Sequence, residues 1–353
     1  MVGDDGGTNQ IGVAPGAKWF ACKGCESGSC SSFALLECGD FILAPWDLNK
    51  ANPDPTKRPH VVNNSWGGGG GNTWYLATVQ SWVAAGIFPA FSNGNSGPAC
   101  NTSGSPGDYL QAFSSGATDM NDNIGIFSSR GPSTFGVKKP DLAAPGVSVR
   151  SSVPTDLYSS KSGTSMASPH TAGAVALLWS FYPGLARDIA NTQKKLRPAT
   201  TILNTMDACG GDGPTTHPNN TFGAGRLDVF QGYSPFNIYT DRSVYNPGDT
   251  MNVLLSLVNP VNAGANLDLY VAVQTPGGAL LFFPNFGTTP TPLVSNFAVT
   301  PLMTVFDFSM FTFMFGSESP GPYDWLAVAV PTGADPLNPA TWLSFDDAPF
   351  TKN

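Results

Sequence analysis

Gly163-Thr164-Ser165-Met166-Ala167-Ser168-Pro169-His170, continuing into Thr171-Ala172-Gly173-Ala174-Val175-Ala176-Leu177-Leu178-Trp179, is the stretch that decides the fold. A turn-forming Gly precedes a Ser, and small residues then open an apolar helix. Pro169 is read as part of the first turn, where a missing backbone N–H costs nothing. Ser165 then sits at a helix N-terminus, where unpaired N–H groups and the helix dipole favour a developing negative charge. A nucleophile that passes through a tetrahedral oxyanion belongs at such a place. The plainer reading of Ser165 is an N-cap on a buried helix.

Working outward, alternation of strand and helix signals dominates residues 1–233. Ile11 to Lys23 reads as a turn leading into a short buried strand, and Phe33 to Asn49 as an apolar helix. Val61 to Gly70 is a buried strand running into a glycine tract. Trp74 to Ala85 reads as a helix capped by Asn72 or Thr73 and stopped at Gly86. Ile87 to Phe91 is a second buried strand, followed by the turn Ser92-Asn93-Gly94-Asn95-Ser96-Gly97. Buried strands separated by helices predict a mostly parallel sheet covered on both faces.

In this order the motifs resemble the subtilisin-like serine proteases, the subtilases. The resemblance rests on GTSMASPH at 163–170, on Asn63-Asn64-Ser65-Trp66-Gly67, on Gly94-Asn95, on Ile11-Gly12-Val13-Ala14-Pro15, and on the segments Phe127–Pro132 and Pro140–Gly146, read as scaffolding. It implies Ser165 as nucleophile and Asn95 as oxyanion donor. Ser65, Trp66 and Gly67 would form the edge that pairs with extended polypeptide substrate, Trp66 making the pocket entrance bulky. Pro183–Leu196 and Gly225–Tyr233 resemble the family's last two helices. The family's triad order is Asp, His, Ser, and its Asp and His precede the segment matched by Ile11 to Lys23. His170, five residues after Ser165 on one helix, points about 140° away at roughly 100° per residue. His60 and His217 lie in no matching context. The expectation is a subtilisin-like core incomplete at its N-terminus, with Asp, His and signal peptide upstream of Met1 and little proteolysis by the chain alone. The competing reading is a non-catalytic pseudoprotease or binding protein. The resemblance implies no certain cofactor and leaves a structural calcium open, although the short Gly6–Gly12 loop gives no clear site for one.

Composition sets the remaining bounds. The chain has 353 residues and a net charge of −8, which argues against nucleic acid or an anionic membrane as partner. No apolar run reaches membrane-spanning length, and a secreted monomer is expected. Of the six cysteines, Cys22, Cys25, Cys30 and Cys38 cluster. Cys22-x-x-Cys25 admits zinc, but without a second such pair or a nearby His, local disulfides are the better reading, and Cys100–Cys209 is a further option. From Ser234 the character changes. Residues 234–353 hold nine acidic and two basic residues and show period-two apolar runs at Met251/Val253/Leu255/Leu257, Leu267/Leu269/Val271/Val273 and Trp325/Ala327/Ala329. An all-β, immunoglobulin-like accessory sandwich is predicted, with Phe282, Phe283 and Trp342 assigned to core packing rather than to a binding face.

Overall fold

The computed structural model describes residues 1–26, 29–197, 199–229, 236–240, 244–258, 264–300 and 304–352. The chain begins with a loop that folds on itself: Gly12 N donates to Gly3 O and Ala14 N to Met1 O. The strand expected within Ile11–Lys23 is absent, and Trp19 and Phe20 are 70% and 44% exposed. A strand needs a neighbour for its ladder, and this segment has none among the described residues. A two-residue hairpin, β1 (Cys25–Glu26) and β2 (Ser29–Cys30), follows, pinned by Cys25–Cys30. Helix α1 (Ser32–Leu43) is tied by Cys22–Cys38. It stops six residues short of the expected Asn49, because Ala44 precedes Pro45, a position that disfavours helix.

The core sheet is assembled from β3 (Val61–Asn64), β4 (Phe88–Ser92), β5 (Phe113–Thr118), β6 (Leu142–Pro145), β9 (Thr200–Thr201) and β10 (Arg226–Leu227). Its order is β3-β4-β5-β6-β10-β9, parallel throughout except for antiparallel β9. Between β6 and β9 lie the hairpin β7 (Val149–Val153) and β8 (Leu157–Lys161) and helices α3 (Thr164–Phe181) and α4 (Ile189–Leu196). Every residue of β4 and β5 is buried, since helices cover both faces. On one side Phe88, Ala90, Phe113 and Ala117 pack with Ala167, Ala172, Ala174, Val175 and Leu178 of α3. On the other, Phe91 packs with Leu35 and Ile42 of α1 and with Val79 and Trp82 of α2 (Leu76–Ala84). The small residues of α3 let it lie close to the sheet, and Ser115 Oγ and Thr171 Oγ1, 2.7 Å apart, fix it there. The helix expected at Gly225–Tyr233 opens instead as β10, because Arg226 pairs with both Ala143 and Thr201. Residues 230–233, and with them the expected domain boundary at 233/234, lie outside the described residues.

Among the described residues from Phe236 onward the regular elements are strands, apart from one 3-10 turn at Pro339–Thr341. One antiparallel sheet holds β11 (Phe236–Thr240), β13 (Thr250–Val258) and β17 (Thr304–Met314). The other runs β12 (Val244–Tyr245), β19 (Ser344–Lys352), β18 (Gly321–Pro331), β14 (Ala265–Gln274), β15 (Leu280–Phe282), with β16 (Val294–Val299) also on β14. The three predicted apolar stripes are all buried in one core between these sheets. Phe282 packs with Tyr270, Val328 and Trp342 on the outer face, and Phe283 stacks on Phe311 at 4.2 Å. These aromatics serve packing.

Candidate active site

Ser165 is the second residue of α3, at the carboxyl ends of β3 and β4. The helix start is held by Asn95, whose Oδ1 accepts from both Thr164 N and Thr164 Oγ1 at 2.9 Å. With its carbonyl oxygen spent on Thr164, the residue before Ser165, the Asn95 amide keeps its Nδ2 hydrogens as donors. The turn carrying Asn95 is braced from below. Buried Asn93 receives Ser114 Oγ on its Oδ1 and donates Nδ2 to Ser129 O at 2.8 Å, and Ser129 Oγ accepts from Ser96 N at 3.1 Å.

Pro169 is the sixth helical residue, not part of the first turn as expected. Its absent N–H would have bonded the carbonyl of Ser165, four residues earlier. That freed carbonyl is capped from another element: Ser65 Oγ donates to Ser165 O at 2.9 Å. In turn Ser165 Oγ donates to Ser65 O at 3.3 Å. The Ser65 hydroxyl is oriented by Asn63, whose Nδ2 donates to it at 3.1 Å while its Oδ1 accepts from Ser168 Oγ at 2.8 Å. The candidate nucleophile is thus clamped to the end of β3 by a reciprocal pair. The signal in the sequence is the four-residue step from Ser165 to Pro169, which pairs that carbonyl with the missing N–H.

Ser65 and Gly67 are exposed along the expected edge. Gly68 N donates to Ser105 O at 2.9 Å. A Cβ on Gly104 would stand 2.4 Å from Gly68 O, so this close approach requires glycine. Trp66 does not guard a pocket entrance alone. Its ring is half-buried, edge-on to Tyr75 at 5.0 Å and to Phe91 at 6.0 Å. Together with Gly67, Gly68, Trp74, Leu35 and Ser105 it lines a cavity of about 150 Å³.

Among the described residues, no hydrogen bond joins any of the three histidines to Ser165 Oγ. His170 Nδ1 lies 2.8 Å from Met166 O, and burial and the Met1 amino group lower its pKa. His60 precedes β3, on the opposite pole of the sheet, and burial followed by the charge of Arg187 lowers its pKa. His217 Nε2 is 3.0 Å from Asn204 Oδ1, and burial, then Lys138, pushes it down to about 4. All six cysteines are in disulfides, the third being Cys100–Cys209, so zinc on Cys22 and Cys25 is ruled out. No group of three or more His, Cys, Asp or Glu among the described residues could hold a metal ion. In the N-terminal loop Asp5 accepts hydrogen bonds from Gly7 N, Asn9 N and Asn9 Nδ2. Among the described residues no helix is long and apolar enough to cross a membrane.

A mostly parallel α/β sheet thus sets Ser165 at the start of a buried helix, with Asn95 bonded to that start. The model of the subtilase family matches residues 1–225, and the chain belongs to that family. It is 41% identical over 243 residues to bacillopeptidase F of Bacillus subtilis (strain 168), an alignment covering 66% of this chain and 16% of that protein. It is 35% identical over 206 residues to subtilisin DY of Bacillus licheniformis, covering 58% and 68%. With subtilisin E of Bacillus subtilis (strain 168) identity is 34%, over 55% of this chain and 46% of the relative. The match thus spans a small part of bacillopeptidase F and about half of subtilisin E. The solved structure of an S41 psychrophilic protease aligns over 48% of this chain and 57% of that one, at 27% identity and a TM-score of 0.42.

Proposed function

We propose that residues 1–353 carry the nucleophile and oxyanion elements of a secreted subtilase serine endopeptidase acting on polypeptides. The observation that carries this reading is Asn95 Oδ1 held by Thr164, the neighbour of Ser165 in the chain, which leaves the amide's Nδ2 hydrogens to act as donors. Ser165 Oγ would attack the peptide carbonyl, and Asn95 Nδ2 with the Ser165 N–H would hold the oxyanion. Ser65, Trp66 and Gly67 would pair with extended substrate. Residues 1–233 would form this core as a monomer, and residues 234–353 an immunoglobulin-like accessory sandwich, a reading supported by the parallel β12–β19 pair at the edge of an otherwise antiparallel sheet. Three disulfides fit an oxidising compartment.

By itself the chain is proposed to hydrolyse little, because Ser165 Oγ bonds Ser65 O and no imidazole is placed as its base. The same observation favours, as second reading, a non-catalytic binding protein. The test is labelling by a fluorophosphonate with imidazole added as an external base, read by mass spectrometry. The expected result is an adduct on Ser165 that Asn95→Ala slows by about a hundred- to a thousandfold, the loss measured for one oxyanion donor in a subtilisin. No adduct, or one placed elsewhere, refutes the nucleophile assignment. Ser165-dependent cleavage of casein without imidazole refutes the inactivity.

A further inference from the structure

At the amino ends of β3 and β4, on the pole of the sheet opposite Ser165, positive charge is gathered with no acid paired to it among the described residues. Arg58 closes the loop into β3, and Arg187 sits between α3 and α4 with a φ of 70°. The Arg187 guanidinium gathers three neutral carbonyls: Nη1 donates to Pro59 O at 3.2 Å and Gly86 O at 3.3 Å, and Nη2 to Arg58 O at 3.2 Å. Arg58 makes one long side-chain bond, Nη1 to Pro55 O at 3.4 Å. Its Nε is shut off from solvent with no hydrogen-bond partner. The acids closest in sequence are committed elsewhere, Asp54 to Thr56 and Lys57 and Asp188 to Asn191. Burial and then the charge of Arg58 lower the Arg187 pKa, so the two cations are near enough to repel. This cluster stands in a chain of net charge −8.

We propose that Arg58 and Arg187, flanked by His60, form a binding site for a small oxyanion of the phosphate or carboxylate class. A guanidinium carries five N–H donors in a planar fork matched to such oxygens. Arg187 has spent three of them on carbonyls, and Arg58 retains its Nε–H. One anion placed between them removes the repulsion, and a turn of the Arg58 side chain brings its Nε–H, closed to solvent in this structure, onto the anion. It would also brace three chain segments that meet there: the loop 55–60, the end of α2 at Gly86 and the α3–α4 turn. The site is remote from Ser165 and does not depend on its chemistry.

The experiment follows thermal unfolding and the Arg Nε–H resonances of the full chain as sodium phosphate or sodium acetate is added, against sodium chloride at equal ionic strength. The expected result is a saturable rise in Tm with a matching shift of the Arg58 Nε–H signal. In Arg58→Gln, which leaves the Arg187 clamp intact, half-saturation should move up by about tenfold or more. Which of the two salts saturates assigns the anion class, and either supports the site. A rise that never saturates, an unchanged midpoint in Arg58→Gln, or a stationary Nε–H signal overturns it. Should Arg58→Gln fail to fold, the resonance shift in the unaltered chain decides alone.

Discussion

The Ser65–Pro169 relation makes a quantitative prediction. Pro169 removes the helical donor to Ser165 O, and the Ser65 hydroxyl replaces it at 2.9 Å. Ser65→Ala strips that cap and leaves Asn63 Nδ2 without its acceptor. At about 1 kcal/mol for a neutral hydrogen bond, with a further fraction for the second group, the expected loss is about 1–2 kcal/mol. Pro169→Ala restores an N–H aimed at the same carbonyl and should stabilise by about 1 kcal/mol, part of the usual penalty for an interior helix proline. In that background Ser65→Ala should cost about 1 kcal/mol less, since the carbonyl has regained a donor. Urea unfolding followed by fluorescence of the eight tryptophans measures all four proteins. If Ser65→Ala costs the same in both backgrounds to within about 0.3 kcal/mol, the two donors do not compete for one carbonyl and the reasoning fails.

Asn95→Ala should also loosen the start of α3, because Thr164 N and Oγ1 lose their acceptor; a loss of about 1 kcal/mol in urea is expected, and no loss would show that Asn95 does not cap the helix. All three histidines have a pKa below the ordinary value. For His217 the unfolded chain binds a proton near pH 6.5 that the folded one binds at about 4. Stability is therefore full above pH 6.5 and falls as pH drops toward 4. Discounting for partial exposure, about 1–2 kcal/mol should be gone by pH 5, and His217→Gln should flatten that slope in urea titrations. The Cys100–Cys209 bridge spans a sequence separation of 109, so replacing both by Ser should cost about 2–5 kcal/mol and lower Tm in calorimetry. Gly104→Ala should destabilise or displace the glycine tract, visible as altered Trp66 fluorescence, since its Cβ meets Gly68 O at 2.4 Å.

Periodicity carried most of what was legible. The stripe Met251/Val253/Leu255/Leu257 and its two companions are buried as alternation requires, because strand faces are set by local geometry alone. Helix α3 and the turn at Asn95 were likewise readable, since both are fixed by local residue chemistry. Ile11–Lys23 was not, because an apolar run becomes a strand only when a neighbour accepts its ladder. The direction of Trp66 was hidden for a related reason: its ring answers to Tyr75 and Phe91, which are distant in sequence. The cap on Ser165 O joins residues 100 positions apart, and the Arg187 clamp joins residues 101 to 129 apart. Pairings at such distances have no periodic signature.

Strand β3 has β4 on one flank and no strand among the described residues on the other. Its outer row of amide and carbonyl groups is thus a template for another extended chain. With Trp19 and Phe33 exposed in the same N-terminal region, the colloidal behaviour of the purified protein should be governed by this rim. Where the proposed monomer gives way at high concentration, self-association should start at this rim, while the opposite margin of the sheet stays as it is.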